Sequence, residues 1–399
     1  SLMKTLLVIT GSIAAYKALE LCRLLVKQGA EVDVILTAAA QQFITPLAVS
    51  ALTGRRCYTD LWSLKDETEM GHIRLTREAD HILVAPASAD FIAKLATGRA
   101  DDLASTTLLA ATQSLIIAPA MNPAMLAHPA TQSNIQMLKD RGAILVYGDA
   151  GSMACGEIGD GRFAEPTQLY DLIMAQSAMR AVQIDPNSLQ GKRILVTAGP
   201  TREAIDPVRY LSNHSSGKQG YALATILASC GAQVTLVSGP TSLPRPLGVT
   251  RIDVTSATEM AEAVTSLLPI DMAFCAAAVS DWQATSPAAQ KQKKANEAFA
   301  PQWKETPDIL HLLGHHTTRP ELLVGFAAET EQVTEHAMAK CRTKKCDLIV
   351  ANDVSHGKVF GEDENTVHLC TPQACEPVAI ASKTHISAVI IRKCLELMS

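Results

Sequence analysis

Cys155 lies in GSMACGEIGDGR (151–162), whose four glycines and sparse apolar content describe a loop able to close over a ligand. A buried thiol is the usual fate of a cysteine, but one in a glycine-rich loop is a better candidate for chemistry than for packing. His72 in EMGHIRLTREAD lies between segments rather than within an apolar face, by default an ordinary surface or helix-capping imidazole unless its context gives it a functional role. Asn122 in PAMNPAM sits between two prolines that fix the backbone, so its amide either aims at a ligand or closes an Asx-turn. Gly11 and Ser12 end a strand where a helix opens, and Ser88 and Ala89 do so again in APASAD. Each place is a phosphate cradle or a plain turn, and two on one sheet edge strengthen the first reading. In the second half Arg209, Asn213, Ser215, Ser216 and Lys218 fall within ten residues before a helix, more donors than capping needs and enough to hold a phosphorylated acid. Asp281 closes a strand, where it can meet a metal, a ribose or a base, and KQKK (291–294) supplies cations or a solvated charge run. Lys340 and Lys344, four apart on a helix, repel unless an anion compensates them, which suggests phosphate contact.

These residues need a scaffold. KTLLVIT (4–10), a helix-spaced segment and EVDVILT (31–37) form a β-turn-α-β unit. Further apolar runs at 81–87, 114–120 and 143–148 suit a parallel sheet covered on both faces. The polar stretch QIDPNSLQG (183–191) reads as a linker, after which KRILVTAGPT (192–201) starts a second strand-turn-helix of the same style. Later strands are expected at 272–278, 322–328 and 347–353, with a closing helix near 381–398. The polar, alanine-rich stretch 286–303 fits a mobile flap.

At 399 residues the chain suits two domains, and 47% apolar against 19% charged residues excludes disorder. Apolar runs are broken well short of a bilayer span, so no membrane is a partner. A net charge of −5 without a Lys/Arg run gives nucleic acid no electrostatic handle. The start reads as a mature strand rather than a signal peptide. Ten cysteines without zinc spacing are expected to be reduced thiols rather than a disulfide framework, which points to the cytoplasm.

The ordered set GSIAAYK, GHI, APAS, PAMN and ACGxxGxGR resembles the flavin-dependent cysteine decarboxylases, especially those of phosphopantothenoylcysteine, over about 1–180. The resemblance implies an FMN held by Gly11, Ser12, Ile13, Thr37, Ser88 and Ala89, often between subunits of a trimer. It makes His72 the base, Asn122 the holder of the substrate carboxylate and Cys155 the proton donor. A cysteinyl carboxylate has no electron sink; oxidation to a thioaldehyde by flavin provides one, and reduced flavin with the Cys155 proton returns the product.

Residues 190–399 resemble phosphopantothenate–cysteine ligase through SNHSSGK, AAxxD, KxKK, GFAAE and ANDV. The whole chain is thus similar to the bacterial coenzyme A biosynthesis fusion proteins, with 1–183 the decarboxylase, 184–191 the linker and 192–399 the ligase. That implies an α/β fold class of two Rossmann-like domains, the first flavodoxin-like and doubly wound, the second a nucleotide-binding ligase. Its substrates would be 4′-phosphopantothenate, cysteine and CTP with Mg²⁺: the carboxylate attacks the α-phosphate, and cysteine's amine displaces CMP. Arg209 and Asn213 match positions for forming and using the acyl-cytidylate, and Lys291 the lysine needed for turnover. Ala277, Asp281, Lys291, Thr306, Pro307, Asp308, Ile309, Phe326, Lys340 and Lys344 match CTP contacts, with Asp281 toward the metal. KIKK is KQKK here, NPDI is TPDI, and Trp282 replaces a common tyrosine; Thr306 leaves one nucleotide contact open. A homo-oligomer of trimeric flavin and dimeric ligase halves, a dodecamer, would follow. The alternatives are one active half with the other a scaffold, or a non-catalytic regulatory protein on the flavin fold.

Overall fold

The computed structural model describes residues 3–60, 70–148, 161–294, 300–354 and 364–399, without the side chains of Met70, His72 and residues 364–366. Contacts divide it into two compact units, 1–173 and 174–399. In the first lie β1 (Lys4–Ile9), α1 (Ala15–Lys27), β2 (Glu31–Leu36), α2 (Pro46–Thr53), β3 (Cys57–Tyr58), α3 (Met70–Arg77), β4 (His81–Ala87), α4 (Ala89–Thr97), α5 (Leu103–Leu109), β5 (Leu115–Pro119), α6 (Pro123–Ala127), α7 (Pro129–Asp140) and β6 (Ile144–Leu145). α8 (Pro166–Ala181) carries the boundary.

The first sheet runs β3-β2-β1-β4-β5-β6 and every pairing is parallel. Leu6 to Ile9 are at most 1% exposed, so both faces of β1 are covered, which is why the sequence shows an unbroken apolar run instead of alternation. The order reverses between β1 and β4, and Gly11, Ser12 and Ser88 follow those two strands at this switch point. Local chemistry starts and stops the helices. Ser88 caps α4 by accepting from Phe91 N at 3.2 Å, Gly98 ends it at φ 71°, and Asp102 and Ser105 form a capping box on α5. The strand expected over 143–148 shrinks to Ile144 and Leu145, with a last bond from Val146 N to Ile117 O at 2.9 Å, because the chain then turns to Gly148, whose N–H donates to Arg162 O.

The second unit contains β7 (Arg193–Ala198), β8 (Arg202–Asp206), β9 (Arg209–Ser212), α9 (Lys218–Ser229), β10 (Gln233–Ser238), β11 (Val249–Asp253), α10 (Ala257–Ser266), β12 (Met272–Cys275), β13 (Trp282–Ala284), β14 (Trp303–Glu305), α11 (Ile309–His315), β15 (Leu322–Glu329), α12 (Val333–Lys344), β16 (Leu348–Asp353), β17 (Glu364–Cys370), β18 (Cys375–Ser382) and α13 (Lys383–Met398). Its main sheet runs β11-β10-β7-β12-β15-β16-β17-β18, parallel as far as β16 and antiparallel beyond. One apolar cluster includes Ile194, Val196, Phe274 and Ile390, another Leu195, Ala273, Leu323 and Ile349; alternate residues of β7 and β12 divide between them, as a sheet covered on both faces requires. Two antiparallel hairpins, β8–β9 and β13–β14, stand apart from this sheet.

The stretch read as a linker is not bare chain. Ile184 and Leu189 are buried in the second unit's core beside Ala175, Ala178 and Met179 of α8. The cysteine expectation needs correction as well: Cys370 and Cys375 form a disulfide, while Cys22, Cys57, Cys230, Cys275, Cys341, Cys346 and Cys394 are free. The β17–β18 register sets the two half-cystines directly opposite each other, a relation that only the hairpin creates. Among the described residues no helix is long and apolar enough to cross a membrane.

Candidate functional site

In the first unit a cavity of about 650 Å³ opens at the C-terminal edge of the sheet, lined by Gly11, Ser12, Ile13, Ala14, Lys17, Ser88, Ala89, Met121, Asn122, Met125, Gly161, Arg162, Phe163 and Glu165 among others. Buried Thr10 joins the two cradles: its hydroxyl donates to Pro86 O at 2.6 Å and accepts from Ser88 N at 2.9 Å. Gly11 is required by space, since a Cβ there would stand 2.6 Å from Ala39 Cβ. At the start of α1 the Ser12 hydroxyl accepts from Ala14 N at 3.1 Å and its carbonyl from Ala15 N at 3.0 Å, a tight serine turn on the cavity wall. Thr37 does not line the cavity; it is buried, and its hydroxyl accepts from Ala40 N at 3.2 Å.

Asn122 forms the Asx-type N-cap of α6 through its Oδ1, which accepts from Ala124 N at 2.8 Å, and its exposed amide still lines the cavity. The Asx-turn reading therefore holds, with the residue beside the cavity. Gly161 at φ 85° brings the chain back beside it, donated to by Met121 N at 2.9 Å; a Cβ at 161 would sit 1.9 Å from Met121 O. Lys17 and Glu165 pair at 2.9 Å on the cavity wall, a contact across 148 residues that no local pattern signals. His72 falls on α3, with its side chain outside the described residues, and Cys155 lies outside them altogether. A pair of serine-marked helix starts and a glycine floor fits the phosphate and backbone approach that a flavin mononucleotide needs.

In the second unit a cavity of about 580 Å³ follows the ends of β12, β15 and β16 and the start of α9. Asn213, Ala277, Asp281, Phe326 and Lys340 line it, as do Ser215, Ser216 and Lys218. Asn352, Asp353 and Lys383 join them, of which the ANDV run gave notice but the lysine at the start of α13 did not. At the α9 start Gly217 at φ 78° is the N-cap, Lys218 N donates to Ser216 Oγ at 3.3 Å, and Gly220 lets the helix approach β7, where a Cβ would fall 2.4 Å from Ala198 Cβ. Asn213 Nδ2 donates to Val279 O at 3.0 Å, which fixes its plane at the cavity mouth.

Thr306 ties its segment down, its N–H donating to Asp281 O at 3.0 Å and its hydroxyl to Ser280 O. Neither it nor Pro307, Asp308, Ile309, Lys344, Arg209 or Lys291 lines the cavity, and Ile309 is a core residue. The lysine pair has its anions within the protein: Lys344 pairs with Asp308, the N-cap of α11, and Lys340 Nζ lies 3.8 Å from Glu329 Oε1. The repulsion expected from their spacing is thus relieved before any ligand arrives. At Asp308 burial alone would raise the carboxyl, but the Lys344 hydrogen bond and the His311 N–H outweigh it and hold it below the usual carboxylate value. Asp206 is likewise held low: burial opposes, and the backbone N–H groups of Gln292, Val208 and Arg209 prevail. Among the described residues no cluster of three or more His, Cys, Asp or Glu could form a metal cage. A single carboxylate such as Asp281 beside ligand phosphates still suits Mg²⁺, which keeps most of its own water.

A family model described as Flavoprotein matches residues 2–178, and one described as DNA/pantothenate metabolism flavoprotein C-terminal domain matches 189–398. The chain is 44% identical over 389 residues to the coenzyme A biosynthesis bifunctional protein CoaBC of Haemophilus influenzae, covering 97% of this chain and 96% of that one. Identity to the CoaBC protein of Vibrio parahaemolyticus is 45% over 399 residues, covering 99% and 98%. A crystal structure of the C-terminal domain of a CoaBC protein matches at TM-score 0.46 with 39% identity, over 53% of this chain and 98% of that one. Two α/β units, each with a cavity at its sheet's C-terminal edge, and near full-length identity lead to one conclusion: the chain belongs to the family of coenzyme A biosynthesis bifunctional proteins.

Proposed function

We propose that the second unit joins cysteine to 4′-phosphopantothenate with CTP and Mg²⁺, and that the first decarboxylates the product to 4′-phosphopantetheine with FMN. The observation that carries this reading is the presence of two separate cavities, each where the strand order of its own sheet reverses and each beside a serine-bearing turn that opens a helix.

In the ligase half the pantothenate carboxylate attacks the α-phosphate of CTP, pyrophosphate leaves, and cysteine's amine then displaces CMP. The Ser215–Lys218 turn and the α9 amides hold phosphate. Asp281 binds the metal, and Phe326 and Lys340 border the nucleotide. Asn213, oriented by Val279 O, and Arg209 act on the acyl-cytidylate, and Lys291 serves turnover. In the decarboxylase half Gly11, Ser12, Ile13, Ser88 and Ala89 hold FMN, with Thr37 behind them. Bound FMN supplies the electron sink that a cysteinyl carboxylate lacks. Asn122 binds the substrate carboxylate through the amide nitrogen that its capping oxygen leaves available. His72 takes a proton and Cys155 returns one, roles that rest on their motifs. Exposed apolar side chains, Tyr16, Phe43 and Leu47 in one unit and Val208, Tyr210, Trp282 and Trp303 in the other, support a homo-oligomer.

The test is incubation with 4′-phosphopantothenate, cysteine and CTP, following pyrophosphate, CO₂ and the ligated intermediate by mass, with a flavin absorbance spectrum. Pyrophosphate and CO₂ from a yellow protein are expected. Pyrophosphate without CO₂ would reduce the first unit to a scaffold, and neither product would overturn the reading.

A further inference from the structure

Arg209 and Lys291 stand outside the ligase cavity, yet one buried carboxylate connects them. The Asp206 side chain is 0% exposed. Its Oδ1 accepts from Val208 N at 2.9 Å and Arg209 N at 2.8 Å, which is what an aspartate opening an Asp-Pro turn ordinarily does. That turn needs only one oxygen. Oδ2 is engaged elsewhere: it accepts from Gln292 N at 3.0 Å, 86 residues away in sequence, and lies 3.6 Å from Arg209 Nη1. Ala288 N donates to Ile205 O at 2.9 Å, so the chain before Lys291 is fastened to the same hairpin at a second point.

We propose that Asp206 is a positioning residue of the ligase, its two oxygens holding the Arg209 guanidinium and the Lys291 backbone in fixed relation so that both cations reach the reacting phosphates as a pair. This rests on the ligase reading of Arg209 and Lys291 given above. A charged acceptor shared by three N–H groups and a guanidinium is a strong restraint, and a buried carboxylate with those partners is costly to lose.

Asp206→Asn tests it. The asparagine keeps an acceptor for the turn but presents an amide where Gln292 N–H and the guanidinium need an oxygen. The ligase kcat is expected to fall about tenfold, with the CTP KM within about twofold, because no residue lining the cavity is changed. Hydrogen exchange should quicken over 288–294 and stay unchanged in the main sheet. On an Arg209→Ala background the same substitution should add less than about twofold, since the two act as a unit. Gln292→Pro, which removes the N–H and leaves the hairpin intact, should reproduce the kcat loss and serves if the first variant does not fold. Retained kcat in either folded variant, unchanged exchange over 288–294, or equal losses in kcat and KM with a lowered melting point would overturn the proposal. A wild-type chain releasing no pyrophosphate would sink the ligase reading instead, leaving the exchange measurement to decide the tether by itself.

Discussion

Two residues show how site geometry depends on contacts that motifs do not reveal. Gly161 could be read as one glycine of a loop, but the structure gives it a positive φ and a backbone oxygen where a side chain would stand. Gly161→Ala is therefore expected to cost about 2 kcal/mol or more and to weaken flavin retention, checked by denaturant unfolding and by absorbance after gel filtration. Asp308 illustrates electrostatics. Its folded pKa lies below the ordinary 3.8, so its contribution to stability is complete above that value and is lost as pH falls through the lower folded pKa. Melting curves taken from pH 5 down to pH 2 should show a steeper fall for the wild type than for Asp308→Asn; parallel curves would mean that the Lys344 pair contributes nothing. Cys155 lies outside the described residues, but Ser12, Ser88 and Asn122 were legible as turn residues at the ligand edge of a sheet, and all three line the cavity. Asp206 was not legible, since a turn aspartate looks the same in sequence whatever its second oxygen does.

At the scale of elements, strand-end turns carry both sites. β1 and β4 lie where continuous apolar runs place them, because a strand covered on both faces needs apolar side chains at every position. The hairpins β8–β9 and β13–β14 escaped notice: their strands are three to five residues long and largely exposed, so no periodicity marks them. Ser88 serves twice, as the α4 cap and as a cavity wall. Ser88→Ala is expected to destabilise the first unit by about 1 kcal/mol and to lower FMN affinity, whereas Ser88→Gly should recover most of the stability and none of the affinity. Calorimetry of the unfolding and flavin titration separate the two effects; equal loss or equal recovery of both would argue that the hydroxyl only caps.

For the whole molecule, the chain is a bifunctional enzyme of coenzyme A biosynthesis with its units in series. The second unit begins earlier than the polar 183–191 stretch suggests, since Ala175, Ala178, Met179 and Ile184 lie in its core. A fragment of residues 174–399 should accordingly be more stable than one of 190–399, by about 3 kcal/mol or more for the apolar surface otherwise exposed, as urea midpoints would show. Equal midpoints would mean that those side chains add nothing to the second core. Composition, apolar runs and ordered motifs by themselves determined an α/β chain in two parts and singled out residues that line its cavities, such as Ser12, Ser88, Asn213 and Asp281, because backbone period and turn chemistry are local properties. Only tertiary structure decided the Cys370–Cys375 disulfide, the carboxylate partners of Lys340 and Lys344 and the hold of Asp206 on residue 292. The Lys344–Asp308 and Asp206–Gln292 contacts join positions distant in sequence, and the Lys340–Glu329 pair and the disulfide need the packing of a helix on its strand and a hairpin register, so each arises only once those elements are packed together.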